Sequence, residues 1–315
     1  MITRYVIKRL ILLVPLLLGI TLVSFTLLRA LPGDIALALA GERASQETIE
    51  SIRKELGADK NVLHQYAGYL KMLTHGDFGR SHFTNRDVLS DIALKFPNTI
   101  KLALSAMAMA VPLGIIMGYI AAYKKEEVTG KIIDSMSLAA LSVPVFWSAI
   151  MLMIVFSLWL KLLPPSGTGD IRFLVLPSCA LAIPAAATLA RVTRTTVADV
   201  LQMPFIATAK AKGLPSLSMH LHHVLKNAII PIVTIIALDF GSYLNGAVVT
   251  ETIFGWDGIG RFTMEGIIKR DYPVIMGCVI AGTVVFVLVN LTSDVLYHYL
   301  DPRIRLHGGA NGTEK

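Results

Sequence analysis

Charge is scarce in this sequence. Asp, Glu, Lys and Arg make up 16% of its 315 residues, where soluble domains average about 25%. That shortage excludes an ordinary water-soluble domain and points to a membrane protein. Cysteine is nearly missing. Cys179 and Cys278 both fall inside long apolar runs and neither has a CxxC neighbour, so they read as buried, inert thiols rather than a disulfide. Signatures of chemistry are missing too. The only Gly-Lys pair is Gly130-Lys131, followed by Ile132 and lacking the upstream glycine spacing of a phosphate-binding loop. No HExxH, no GxSxG and no paired carboxylates on a predicted soluble face suggest catalysis. An enzyme is not expected, and any energy the protein uses must arrive from another subunit. The net charge of +7 does not imply nucleic acid, because the basic residues are scattered between apolar runs instead of gathered on one face.

What the chain has is long apolar runs. Residues 10–28 are almost purely apolar, long enough to cross a hydrocarbon core of about 30 Å and longer than the apolar part of a secretory signal. Further spans are expected near residues 100–123, 135–160, 173–190, 228–249 and 274–296. Pro144 predicts a kink in the third of these six, and Pro177 and Pro184 predict breaks in the fourth. Residues 32–97 are different: they carry Glu42, Glu47, Glu50, Arg53, Lys54 and Glu55, with helical spacing over 46–56 and 62–73. They read as a helical extracytoplasmic insertion. The fold class is therefore all-α, a polytopic membrane protein with six transmembrane helices. Its expected parts are an N-terminal segment with the first span (1–31), the insertion (32–97), a transmembrane core (98–305) and a disordered tail (306–315).

The placement of basic residues orients the chain. Arg4, Lys8 and Arg9 precede the first span; Lys124, Lys125 and Lys131 follow the second; Arg191, Arg194, Lys210, Lys212 and Lys226 follow the fourth; Arg303, Arg305 and Lys315 close the chain. The short segments between spans three and four and between five and six hold only Lys161, Arg172, Arg261, Lys269 and Arg270. The positive-inside rule then places both termini in the cytoplasm. Phe254, Trp256 and Tyr272, in an outer re-entry over 251–272, read as aromatic anchors at the membrane surface.

The most distinctive stretch is residues 205–231, too polar for a bilayer. Helix formers run from Pro204 to Lys212, Gly213 is a natural stop, and Pro215 can open a second helix. Two short helices and a tight turn make a surface knob, and its small residues Ala207, Ala209 and Ala211 would let another protein's groove approach closely.

Thr208-Ala209-x-Ala211-Lys212-Gly213-Leu214, followed by His223-x-Leu225-x-Asn227-Ala228-x-x-Pro231, resembles the coupling loop of ABC-importer permeases, nearest to the dipeptide, oligopeptide and nickel branch. Where the general motif carries glutamate this chain has Ala207, as is usual in the peptide branch. The same branch is resembled by Leu31-Pro32-Gly33-Asp34, Gly76-Asp77-Phe78-Gly79-Arg80-Ser81, Phe96-Pro97-x-Thr99, Glu251-Thr252-x-Phe254-x-Trp256-x-Gly258-x-Gly260-Arg261, Arg270-Asp271-Tyr272-Pro273 and Asp301-Pro302-Arg303-x-Arg305. Asp257 stands where relatives usually have proline. The resemblance implies a permease subunit in a bacterial inner membrane, one half of a heterodimeric pore completed by a second homologous permease. It implies two ATPase subunits, which carry ATP and Mg, and an extracytoplasmic substrate-binding protein. No cofactor is expected in this chain itself. Ala207, Thr208, Ala209, Lys210, Ala211, Lys212, Gly213, Leu214, His223 and Asn227 are then the ATPase-coupling residues, within a cytoplasmic loop over 191–230. Di- or oligopeptides are the expected substrate and nickel or a metal chelate the alternative. An ATP-independent channel or secondary transporter would need intramembrane charge pairs or inverted repeats.

Asp239, in the fifth span, is the one carboxylate expected deep in the bilayer, where an ionised form costs on the order of 2.5–3.5 kcal/mol. Either it faces a wet translocation path or it is a satisfied polar residue at a helix contact. Ser242 and Asn245 follow it on roughly one face and are the other path candidates. Gly241 and Gly246 beside them equally suit close helix packing. His220, His222 and His223 lie on the cytoplasmic knob, the wrong side for capturing a substrate metal, and no metal site is assigned.

Overall fold

The computed structural model describes residues 2–30, 45–47, 50–51, 61–245 and 247–300. Among them every regular element is helical, and the only strand-like pairing is an isolated bridge between Arg80 and Asp87. The motifs at 31–34 and 301–305, the tail at 306–315 and most of the expected helix over 46–56 lie outside the described residues. In chain order the elements are α1 (Ile2–Ala30), α2 (Val62–Thr74), α3 (Val88–Tyr123), α4 (Val128–Ser142), α5 (Val145–Met153), α6 (Ile171–Leu201), α7 (Pro204–Ala211), α8 (Lys226–Leu244), α9 (Val248–Ile253), α10 (Ile259–Lys269) and α11 (Tyr272–Leu300). Wide π turns extend α5 over Ile154–Trp159 and lead into α8 over Met219–Leu225. By length and composition five of these helices can cross a membrane, or six if α4 and α5 count as one broken span.

The spans differ from the sequence expectation where proline is concerned. The expected kink at Pro144 is a full break, with α4 and α5 bent by 97°. The residue before a proline is pushed out of the α region, and Val143, at ψ 125°, ends α4 there. Pro177 and Pro184 do not break the fourth span: α6 runs through both as one helix. This is the most buried of the candidate spans, and a neighbour adds a bond to its backbone between the two prolines, the Tyr243 hydroxyl donating to the Leu181 carbonyl at 2.8 Å. α6 also continues to Leu201, so Arg191 and Arg194 lie on a helix and do not begin a loop. Arg194 pairs with Asp134 of α4 at 2.9 Å. The second span likewise begins earlier than expected, because α3 starts at Val88 and carries Pro97 within it.

The chain divides into two compact units. The first comprises residues 1–100, 245–252 and 256–287. Its core joins Val88 and Ile92 of α3, Ile259 and Phe262 of α10, and Val274 and Cys278 of α11. A smaller cluster packs Tyr69 of α2 and Phe25 of α1 against Ile275 and Met276.

The second comprises residues 101–244, 253–255 and 288–315. Here α3 meets α6 almost backbone to backbone. A Cβ on Gly114 would lie 2.8 Å from the Ala186 carbonyl oxygen, and one on Gly118 would lie 2.3 Å from that of Ala190. Small residues four apart on each helix allow that approach. An apolar cavity of about 410 Å³, lined among others by Met109, Met117, Met136, Phe156 and half-buried Cys179, lies between α3, α4, α5 with its π turn, and α6.

Candidate coupling and transport sites

In the second unit, α7 begins with Pro204 at its first position, where the missing N–H costs nothing. It ends in a glycine turn. Gly213 has φ +72°, its N–H donates to Lys210 O at 3.0 Å, and the Leu214 N–H donates to Ala209 O at 3.3 Å. These are the two bonds of a Schellman stop, which needs the left-handed residue. Ile206 and Ala209 face inward, in a buried cluster with Met219, Val224, Ala228 and Ile232. Ala207, Thr208, Lys210, Ala211, Lys212, Gly213 and Leu214 are exposed.

Ala209 therefore faces the chain's own core and not the exposed side of α7. It lies two residues from both Ala207 and Ala211, which on a helix is the opposite side. The expected second helix opens at Ser216 after Pro215 and passes without a stop into the π turn and α8. His223 is half-buried, and its carbonyl accepts the Asn227 side-chain N–H at 2.6 Å. His220 turns inward, hydrogen-bonded to Tyr119 and edge-on to the rings of Tyr119 and Tyr123 at the end of α3. It ties this segment to α3. Among the described residues no cluster of three His, Cys, Asp or Glu side chains could hold a metal.

The three path candidates are not one stripe. Asp239 is half-buried on α8, and its Oδ2 is buried without a hydrogen-bond partner. Ser242 is exposed. Asn245 lies past the end of α8, in the first unit, where its Oδ1 would be 2.0 Å from a Cβ placed on Gly282.

The first unit explains the remaining motifs as two polar joints. At one, Glu251 of α9 is fully buried. Its Oε1 accepts the Thr99 hydroxyl at 2.8 Å, and its Oε2 accepts the Arg261 N–H at 2.9 Å. Thr99 Oγ1 in turn accepts the Ile259 N–H at 2.9 Å. Burial pushes the Glu251 carboxyl above its ordinary range, against the pull of the donors from Arg261, Thr99 and Gly260. Cβ atoms on Gly258 would sit 2.5 Å from both Glu251 oxygens, and on Gly260 2.8 Å from the Val248 nitrogen. The spacing Glu-x6-Gly-x-Gly-Arg is thus the outline of a carboxylate set at the start of α10. Trp256 completes the joint, its indole N–H donating to Asn98 O at 3.0 Å. Lys95 pairs with Asp257, whose backbone carbonyl accepts the Asn98 side chain at 2.8 Å. Trp256 is therefore interior, as is Phe254, packed with Ala149, Leu176 and Ala180 in the second unit. Neither is a membrane-surface anchor.

At the other joint, buried Asp271 accepts the Ser81 hydroxyl at 2.5 Å and the His82 N–H at 3.2 Å. A Cβ on Gly79 would be 3.4 Å from Pro273 Cβ. The motifs at 76–81 and 270–273, far apart in sequence, are two sides of one contact. Replacing Asp271 with alanine should strand both donors and cost about 2–3 kcal/mol, since a hydrogen bond to a charged group is worth roughly 1.5–3 kcal/mol and the His82 bond, at 3.2 Å, adds little. A lower Tm for the detergent-purified variant would register it; an unchanged Tm would mean the contact carries no stability.

Comparison with known proteins bears on what such a chain does. The family model for the binding-protein-dependent transport system inner membrane component matches residues 110–306, and the model for the N-terminal part of such components matches residues 1–103. The chain is 36% identical over 329 residues to the dipeptide transport system permease protein DppB of Alkalihalophilus pseudofirmus, covering 96% of this chain and 99% of that one. It is 38% identical over 302 residues to the glutathione transport system permease protein GsiC of Escherichia coli, covering 96% and 99%. Among solved structures, an inward-facing MetNI methionine ABC transporter matches with TM-score 0.54 at 11% identity, over 68% of this chain and 97% of that chain, a likeness of fold.

Proposed function

This chain belongs to the family of binding-protein-dependent transport system inner membrane components, as a multi-pass permease subunit of a peptide-type ABC importer, and we propose that it forms half of a pore for di- and oligopeptides. A second homologous permease supplies the other half. Two ATPase subunits bind ATP and Mg and dock on the cytoplasmic side, and an extracytoplasmic binding protein delivers substrate. Both termini of this chain face the cytoplasm, as the basic residues require. The observation that carries the coupling role is α7: a short helix seated on its own protein through Ile206 and Ala209, with Ala207, Lys210, Ala211 and Lys212 exposed. Such a helix can move with a partner and pass that motion to α8. ATP binding closes the ATPase pair and turns the pore outward. Work is transmitted because docking is tighter in one state than in the other.

Peptide is favoured over nickel because the relatives above are named for dipeptide and for glutathione, itself a tripeptide. Asp239, with a buried and unpartnered carboxylate oxygen, is the pore residue suited to a peptide's cationic amino end. Uptake of labelled dipeptide and of labelled nickel, in cells with the whole operon and in cells lacking only this chain, tests the reading. Dipeptide uptake should vanish without the chain and return with it, while Asp239→Asn should restore it only in part. Loss of nickel uptake alone would overturn the substrate class.

A further inference from the structure

We propose that α2 is an interfacial helix, seated on the spans α1 and α11 at the boundary between lipid headgroups and acyl chains, and that its free flanks are covered by lipid. The charge and helical spacing of this region read as a helical extracytoplasmic insertion, and the contacts of α2 seat it against the spans. Its inner side, through Tyr66 and Tyr69, meets residues that lie inside spans. The Tyr66 hydroxyl donates to Leu18 O at 3.1 Å and lies 3.1 Å from Thr21 Oγ1, and its ring is 5.2 Å from that of Phe25. Tyr69 packs against Ile275 and Met276.

The membrane-crossing segments here run Val6–Leu27 and Tyr272–Thr292. At about 1.5 Å of rise per residue, Phe25, Ile275 and Met276 lie about 3–6 Å inside the segment ends, Thr21 about 9 Å inside, and Leu18, met by the tip of Tyr66, about 13 Å inside. Interfacial helices bury their apolar side about 5–10 Å into the headgroup and acyl boundary. The ring contacts of Tyr66 and Tyr69 therefore fall near the depth of such helices, and only the Tyr66 hydroxyl reaches below it.

The exposed surface of α2 is distributed as that position requires. His64 and Lys71, two turns apart, form the ridge opposite the seated side, and exposed His75 follows just past the helix end. Leu63, 74% exposed, and Met72, 40% exposed, fall on opposite flanks between that ridge and the protein, and Val62 at the first turn is 52% exposed. Seated side aromatic, flanks apolar and outer ridge polar, with the Lys71 charge on it, is the section of a helix lying in an interface. Acyl chains would cover the exposed side chains of Leu63 and Val62. Lys71 on that ridge suits phosphate headgroups, and Asn61 caps the helix start by accepting the Leu63 N–H.

Site-directed spin labelling tests this. In full-length chain carrying Cys179→Ala and Cys278→Ala, co-purified with its partner subunits and reconstituted in vesicles of phosphatidylethanolamine and phosphatidylglycerol, labels are placed at Leu63→Cys and Lys71→Cys. Met72→Cys stands in if the first variant fails to insert. Collision with oxygen, which concentrates in the bilayer, should exceed collision with a water-soluble nickel chelate severalfold at the Leu63 or Met72 position. At Lys71 the order should reverse. Chelate exceeding oxygen at every position would put α2 in water and overturn the proposal. Equal exclusion of both reagents from the flanks would mean a protein partner covers them, which overturns it as well.

Discussion

Replacing Gly213 with valine is expected to abolish peptide uptake while leaving the chain inserted and abundant. A Cβ at this position would meet no atom within 4 Å, so crowding is not the obstacle. The obstacle is the backbone: φ is +72°, and a left-handed conformation costs an L-residue roughly 1–2 kcal/mol, more for a β-branched one. Relaxing that strain unwinds the stop, releasing the Leu214-to-Ala209 and Gly213-to-Lys210 bonds. The exposed turn that follows α7 then loses its fixed direction. A span needs nothing from this turn, so insertion survives, whereas a docking helix needs all of it. Gly213→Asn is the control, since asparagine tolerates the left-handed region, and it should keep most of the uptake. Initial uptake rates, read with membrane abundance and substrate-stimulated ATP hydrolysis, decide the matter. Wild-type uptake by the valine variant would remove α7 from the coupling path.

The largest stability loss is expected from Glu251→Ala. The change strands the Thr99 hydroxyl and the Arg261 N–H, now held at 2.8 and 2.9 Å, and leaves a cavity at a fully buried position. Stranded donors cost about 1–3 kcal/mol each, and the cavity adds to that, so the sum is roughly 3–5 kcal/mol. Against a typical total of about 5–15 kcal/mol, the variant should accumulate poorly and melt well below wild type in detergent. Glu251→Gln keeps the volume but turns one acceptor into a donor facing a donor, and should fall between the two. Gly258→Ala offers an independent check, because its Cβ would collide with both Glu251 oxygens at 2.5 Å. Alone it should be severe; combined with Glu251→Ala it should add less than it costs alone, since residues sharing one contact are not additive and only the meeting with Thr99 Oγ1 at 2.5 Å remains. Strict additivity of the two Tm losses would show that the carboxylate and the glycine do not act as one joint.

These joints show where sequence reading stops. The motif Glu251-x6-Gly258-x-Gly260-Arg261 could be seen as a pattern, but its meaning could not. Thr99, the partner that makes Glu251 acceptable in the interior, lies 152 positions away. The same holds for Ser81 and Asp271, 190 positions apart. One sequence carries no record of which distant donor meets which carboxylate. Aromatic character misled for a related reason. Trp256 and Phe254 look like membrane-surface anchors because an indole suits both an interface and an interior with one hydrogen bond, and only the Asn98 carbonyl decides between them.

By itself the sequence determined the helical class, the apolar spans, the short helix closed by Gly213 and the family. Each is a local property: an unbroken run of apolar residues, a glycine where φ must be positive, a proline where no N–H is needed, a motif of neighbours. Tertiary structure alone decided which prolines break a helix. Pro144 turns the chain through 97°, while Pro177 and Pro184 lie within an unbroken α6 whose Leu181 carbonyl accepts Tyr243 from another helix. It also decided that Ala209 faces inward while Ala207 and Ala211 face out, that Gly114 and Gly118 bring two backbones together, and that α2 rests on span residues. Burial of one face depends on what the rest of the chain places against it, and that is set by packing between segments, not by the order of residues within one.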